Sequence, residues 1–223
     1  MRFIRTAVIA VAAVLSIGAT RADWTQTFAT GAGGSHVVGN PQAEVKLTEF
    51  VSYTCSHCAH FQQQADDELK LGFVQQGKVS VEVRHLVRDP VDLSVALLSN
   101  CGTPRQFFGN HNMFLRSQER WMPTMAKASK EQQARWTSGA LGTRMKAIAN
   151  DFGFYRMMEQ RGYTRTAVDR CLSDETKAKL LAAQTKAAAD AGVEGTPSFM
   201  LNGTLLAGTH DWASLKTQIN ARF

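Results

Sequence analysis

Residues 45–58 read Val45-Lys46-Leu47-Thr48-Glu49-Phe50-Val51-Ser52-Tyr53-Thr54-Cys55-Ser56-His57-Cys58, and this stretch decides the fold. Its first seven residues are rich in β-branched and aromatic side chains and predict a strand. Two cysteines separated by two residues follow it directly. Phe61, Ala65, Leu69 and Phe73 then recur four apart, so residues 58–76 predict a helix with one apolar face, stopped by Gly77. Val79, Val81 and Val83 alternate with Ser80, Glu82 and Arg84, the two-residue period of a second strand. Strand, helix, strand in that order calls for a right-handed crossover and parallel pairing.

Outward from this unit, Asn40-Pro41 marks a turn and the Gly-rich stretch Gly31 to Gly39 is expected to be loose. From Asp92 to about Ala191 the pattern is helical: Phe107, Phe108, His111, Phe114 and Leu115 recur at helical spacing, and Ser129 with Gln132 resembles a capping box. Gly162 and Gly192 suit helix ends. Ser198 to Leu201 and Thr204 to Ala207 flank Asn202-Gly203, the strongest short hairpin signal, and a last helix is expected around Trp212 to Ala221. The expected organisation is α/β, with residues 23–91 and 192–223 forming a sheet-based domain and residues 92–191 an inserted helical domain.

The chain has 223 residues, 44% hydrophobic and 20% charged, which is an ordinary globular composition without repeats. Arg2 and Arg5 precede an apolar run from Ala7 to Gly18, followed by small residues at Ala19, Thr20 and Ala22. That is the layout of a secretory signal peptide over residues 1–22; an uncleaved membrane anchor is the alternative, though the run is short of the ~20 residues a span needs. Of the formal net charge of +6, Arg2, Arg5 and Arg21 supply three, so residues 23 onward carry +3. So mild an excess, without a basic cluster, argues against nucleic-acid binding. Export places the four cysteines, Cys55, Cys58, Cys101 and Cys171, where thiols oxidise, and a periplasmic location is expected.

Cys55 and Cys58 at a helix start can close a small disulfide and reopen it. Unpaired N–H groups of the first turn and the helix dipole both favour a thiolate at Cys55, and the thiolate is the nucleophile. His57, as a cation or an N–H donor, is expected to add to that bias. Cys58, one turn inside, is expected to be shielded and to act as the resolving thiol. Rival readings are a structural disulfide and a metal site, because Cys55, His57, Cys58 and His60 crowd six residues; four ligands on so short a helical stretch diverge, however, whereas closed zinc sites draw on two separated segments. Glu49 stands in an otherwise apolar strand six residues before Cys55. Buried, its carboxyl would pass protons near neutral pH; on a sheet edge it would simply be solvated. Thr196-Pro197 precedes the hairpin, and X-Pro is the bond that commonly turns cis, although a trans turn is the commoner case.

Together these pieces resemble the DsbA-like branch of the thioredoxin superfamily. The resemblance is carried by Glu49 through Cys58, by Cys101, and by Glu194-Gly195-Thr196-Pro197-Ser198-Phe199, and it spans roughly Gly39 to the C-terminus. It implies a thioredoxin fold with an inserted helical domain and an exported thiol-disulfide oxidoreductase with no cofactor and no metal. Carried over residue by residue, Cys55 attacks, Cys58 resolves, Pro197 is cis beside the pair and Glu49 lies beneath it. The Thr196 backbone is expected to pair with an extended client segment, as in strand addition. The implied partners are reduced or unfolded exported proteins and a membrane redox partner that recycles the disulfide. Two departures stand out: Ser56 replaces the proline usual in oxidases, and Thr196 is the residue often seen in isomerases and reductases. Only residues 23–44 separate the signal from the first strand, too few for a dimerisation domain, so a monomeric oxidase is expected over an isomerase or reductase. A non-enzymatic metal-binding module of the same fold is the remoter alternative.

The distant cysteines need a separate account. Cys101 and Cys171 each follow a run that reads as helix, and in an oxidising compartment they are expected to form a structural disulfide; two unrelated buried cysteines are the alternative.

Overall fold

The computed structural model describes residues 22–223, so the export signal expected over residues 1–22 lies outside the described residues except for Ala22. The strands are β1 (Phe28–Thr30), β2 (His36–Gly39), β3 (Val45–Val51), β4 (Val79–His85), β5 (Ser198–Leu201) and β6 (Thr204–Leu205). They form one sheet in the order β1-β2-β4-β3-β5-β6. β3 is the centre of it, and only Lys46 of its seven residues is exposed. A strand buried on both faces reads as a near-continuous apolar run, which is why β3 was so legible. It pairs in parallel with β4, from Val45 opposite Val79 to Val51 opposite His85. On its other edge it pairs antiparallel with β5, where Glu49 faces Phe199 and Phe50 faces Ser198.

The Gly-rich segment departs from the sequence expectation. Instead of a loose lead-in, β1 and β2 form a hairpin, and β2 adds antiparallel to β4 with His36 opposite Val83. Its glycines are turn and contact residues. Gly33 and Gly34 take φ of 63° and 78° between the strands. At Gly39, φ is 118° and a Cβ would stand 2.9 Å from the Ser80 Cα, so only glycine lets the two strands meet there. Two-residue alternation over four residues is too short a signal to detect. The terminal hairpin turns through Asn202 and Gly203, with φ of 50° and 82°, the left-handed pair this turn demands. Its second strand is two residues long where four were expected.

Helix α1 (Ser56–Leu69) crosses from β3 to β4 and ends in a wider turn over Lys70–Val74. The segment between β4 and β5 is helical: α2 (Pro90–Ser99), α3 (Pro104–Arg116), α4 (Gln118–Trp121), α5 (Pro123–Lys127), α6 (Lys130–Thr137), α7 (Leu141–Asp151), α8 (Phe154–Gln160), α9 (Arg165–Leu172) and α10 (Glu175–Asp190). α11 (Trp212–Asn220) closes the chain. Local chemistry sets these boundaries. Asp89 accepts from the Val91 and Asp92 N–H groups with Pro90 at the first helical position, and Ser129 with Gln132 forms a reciprocal capping box. Among the described residues no helix is long and apolar enough to cross a membrane.

Two cores result. One fills the space between the sheet, α1 and α11 with Leu47, Phe61, Phe199, Trp212, Leu215 and Ile219. The other belongs to the helical block, with Val95, Leu98, Phe107 and Phe114, and it takes in Val51, Tyr53, Cys55 and Cys58. The head of α1 is therefore walled by the inserted helices. Cys101, just past α2, is bonded to Cys171 of α9, with an S–S distance of 2.02 Å and a Cα–Cα distance of 5.7 Å.

That bond closes a loop across a sequence separation of 70. Restricting so long a loop in the unfolded chain is worth about 4 kcal/mol at 25 °C. The Cys101→Ala/Cys171→Ala double variant is expected to lose that much unfolding free energy in urea titration. A loss below ~1 kcal/mol would mean that helix packing alone holds the loop ends together.

Candidate active site

Burial of β3 fixes where the chain emerges at Ser52, and three side chains, one acceptor and two donors, then hold the short loop to Cys55. Asp92 of α2 is 1% exposed; its carboxylate accepts the Tyr53 N–H at 2.7 Å, the Ser52 hydroxyl at 2.6 Å and the Arg88 N–H at 3.0 Å. Its pKa is raised to about 7 by burial, against the pull of those three donors. Gln118 of α4 donates its amide to the Tyr53 carbonyl at 2.6 Å and the Cys55 carbonyl at 2.9 Å. Arg88 donates to the Ser52 hydroxyl at 2.9 Å and the Thr54 hydroxyl at 3.2 Å. The loop that aims Cys55 is thus gripped by the helical insert on one side and by the β4–α2 connection on the other.

Cys55 is the N-terminal cap residue of α1, and both cysteines are thiols. Cys55 keeps only 4% of its surface and Cys58 none. In exposure, then, the two sulfurs differ little. The chemical contrast is wide. The Cys58 thiol donates a hydrogen bond to Cys55, and this, with the Thr196 side chain, the Cys58 N–H and the charge of Arg88, outweighs burial and lowers the Cys55 pKa to about 4. Burial pushes the Cys58 thiol well above its ordinary value; the Cys55 hydrogen bond and charge, and Glu49, add to the rise. One sulfur ionises readily and its neighbour keeps its proton.

Thr196-Pro197 is cis, and Pro197 is buried. As a thiol, Cys55 donates to the Thr196 carbonyl at 3.1 Å. The Thr196 hydroxyl is buried without another partner, and it favours the ionised Cys55. Thr196 thus offers an acceptor to the thiol and a donor to the thiolate. His210 and the Ser198 hydroxyl brace this loop, bonding the Pro197 carbonyl at 2.8 Å and the Gly195 carbonyl at 2.8 Å.

Glu49 sits on the central strand, not on an edge, and is 3% exposed. Burial and the nearby Asp66 charge raise its pKa to about 8, so it is a neutral acid at pH 7. Its Oε1 has no hydrogen-bond partner. His57 stands exposed beside Ser56, and His60 is exposed and bonds Gln64 at 2.9 Å. The cation that bears on Cys55 is Arg88. Among the described residues no group of three or more His, Cys, Asp or Glu side chains gathers as metal ligands.

Sequence reasoning missed Arg88, Asp92 and Gln118. The Asp89-Pro90 helix start could have placed Asp92 at the third helical position, facing the preceding loop. Nothing in the sequence distinguishes Gln118 from any other polar helix residue.

The family model described as thioredoxin matches residues 31–221, and the chain belongs to that family. It is 28% identical over 186 residues to the "Putative protein-disulfide oxidoreductase" of Rickettsia felis, covering 82% of this chain and 58% of the relative. A protein of similar name from Rickettsia prowazekii is 30% identical over 169 residues, covering 75% of this chain and 54% of the relative. The chain thus spans little more than half the length of these curated relatives. A crystal structure named protein-disulfide isomerase, from Novosphingobium aromaticivorans, is 53% identical with a TM-score of 0.82, over 85% of this chain and 97% of that one. Wolbachia pipientis alpha-DsbA1 shares the fold at 18% identity and a TM-score of 0.67, over 84% and 89% of the two chains.

The thiolate of Cys55 is expected to react with iodoacetamide along a titration centred near pH 4. Cys58→Ala should raise that midpoint most, Thr196→Val less, and Arg88→Gln and His57→Ala least. A largest shift from His57→Ala would overturn the assignment of causes.

Glu49 carries a stability cost with a definite sign. Its pKa is raised in the folded state, so between the ordinary carboxylate value of ~4.3 and about 8 only the unfolded chain gives up this proton, and stability falls as pH rises through that window. Glu49→Gln is expected to stabilise the protein at pH 8 by on the order of a few kcal/mol and to change little near pH 4. Urea titrations at both pH values check this; an equal gain at both would point to packing instead.

Proposed function

We propose that this chain is an exported thiol-disulfide oxidoreductase that introduces disulfides into client proteins through Cys55 and Cys58. The observation that carries the reading is the split between a readily ionised Cys55 and a sealed, proton-retaining Cys58. Stabilising the thiolate stabilises the reduced protein and makes its disulfide a stronger oxidant. A client thiolate attacks the Cys55 sulfur of the Cys55–Cys58 disulfide, forming a mixed disulfide and releasing Cys58 as a thiolate. Glu49, neutral at pH 7, is the buried acid placed to supply the proton Cys58 takes up. A second client thiolate then attacks the client sulfur of the mixed disulfide, and Cys55 departs as its stabilised thiolate. The client has lost two electrons, and the protein is left reduced.

The Thr196 backbone, just before β5, is the edge on which an extended client segment would add. The clients are reduced exported proteins, and a membrane redox partner would restore the disulfide of a monomeric, periplasmic enzyme. The basic start, apolar run and small residues of the first 22 positions support export.

A second reading, disulfide isomerase, is favoured by one observation: the structure 53% identical to this chain carries that name. Isomerisation begins with the reduced protein, whose Cys55 thiolate attacks a client disulfide. Equilibration against glutathione separates the two. An oxidase should lie at the oxidising end of the family range, near roughly −120 mV, and should oxidise a reduced client in stoichiometric single turnover. A potential of about −180 mV or lower, with reactivation of a scrambled client by the reduced protein, would decide for the isomerase.

A further inference from the structure

A cavity of about 240 Å³ opens beside α1, bounded by β1, β2 and β4 on one side and α3 on the other. None of Cys55, Cys58, Thr196 and Pro197 lines it, so it is separate from the face where a client would react. Its walls are mainly hydrocarbon, among them Phe28, Val38, Phe61, Val81 and Phe108. The exposed lining residues Gln26, Lys70 and Arg105 mark its mouth, where the Arg105 guanidinium hydrogen-bonds the Gln26 side chain and lies 5.7 Å from the Phe28 ring centroid.

Inside the mouth the polar lining side chains are Thr25, Gln62, Asp66, His111, Asn112 and Glu49. The first five are hydrogen-bonded: Thr25 donates to Asp23 at 2.6 Å, Gln62 pairs with His111 at 3.2 Å and donates its amide to Asn112, and Asn112 donates to Asp66 at 3.2 Å. The sixth is Glu49, 3% exposed, with Oε1 unpartnered. A buried acid left unpartnered while its polar neighbours are all bonded needs explaining, because native proteins pair nearly all such groups.

We propose that this cavity is a binding site for an uncharged, largely apolar small molecule bearing one hydroxyl or carbonyl group, with that group on Glu49 Oε1 and its body between Phe61 and Phe108. Water is a poor occupant, since a buried water needs two to four polar partners and the cavity offers one unmet atom. Inside the mouth the charged lining residue Asp66 is already paired with Arg116 at 3.1 Å, so a charged head beside Glu49 would shed its hydration without a free counter-charge. The neutral carboxyl that Glu49 carries below about pH 8 can both donate and accept, which matches a hydroxyl or carbonyl. The size suits a substituted ring, since a dry cavity of ~150 Å³ already admits benzene. Glu49 also acts on Cys58, so an occupant would tune the redox pair from behind. Binding itself does not depend on the direction of electron flow proposed above.

The probes are 4-ethylphenol and ethylbenzene, followed by titration calorimetry and methyl NMR on the protein. 4-Ethylphenol should bind saturably and shift the methyls of Ala65, Leu69, Val81 and Val83, leaving the backbone amides of Thr196, Ser198 and Phe199 unmoved. Ethylbenzene should bind about tenfold more weakly, the worth of one hydrogen bond. Glu49→Leu should abolish that difference. Ala65→Phe, which fills the cavity, should block both probes, and Val38→Phe serves if thermal melting shows Ala65→Phe unfolded. Absence of saturable binding up to the solubility limit, a tenfold difference that survives Glu49→Leu, or shifts centred on residues 196–199 would each overturn the proposal.

Discussion

The coupling of the Cys58 thiol to the Cys55 sulfur is the interaction on which the chemistry of this site depends, and it is available only because of how the helix begins. Placing Cys55 at the cap and Cys58 one turn inside sets the two sulfurs side by side. The fold then makes their surroundings unequal. Cys58 is turned into the core of the helical block, while Cys55 keeps a sliver of surface and faces Thr196. A donor that cannot itself ionise is a dependable donor, so the burial that raises Cys58 is also what lowers Cys55.

The helical insert is best understood as the second half of this arrangement. A sheet with α1 and α11 would leave the Ser52–Thr54 loop open to water. In this protein the insert supplies Asp92 and Gln118, which hold the loop's backbone, and a wall of apolar side chains over Cys58. The Cys101–Cys171 bond ties α9 to the end of α2, the helix whose first turn carries Asp92.

The parts of this structure that were legible in the sequence share a physical property: their signal is local. β3 is a buried strand and reads as an apolar run; the Cys55–Cys58 spacing and the Asn202-Gly203 turn are set by their own few residues. The strand pair β1–β2 was not legible, because glycines demanded by close approach at Gly39 look the same as glycines of a flexible segment. Arg88 and Gln118 escaped for another reason. Their roles exist only after long-range folding brings 88 and 118 against residues 52–55. Glu49 falls between: its oddity within β3 was visible, but its burial depended on β5 pairing along the free edge of that strand.

The complete sealing of Cys58 has a kinetic consequence. A sulfur with no exposed surface can be attacked only by a group already inside the protein, and Cys55 is the group its position provides. Every mixed disulfide with an external thiol, of a protein or of a small-molecule buffer, must form on that one atom. Two incoming thiols therefore exclude each other, and the reaction runs in strict alternation, like traffic through a single gate. Escape from a covalent complex with Cys55 is then decided by two competitors alone, Cys58 from within and one thiol at a time from without.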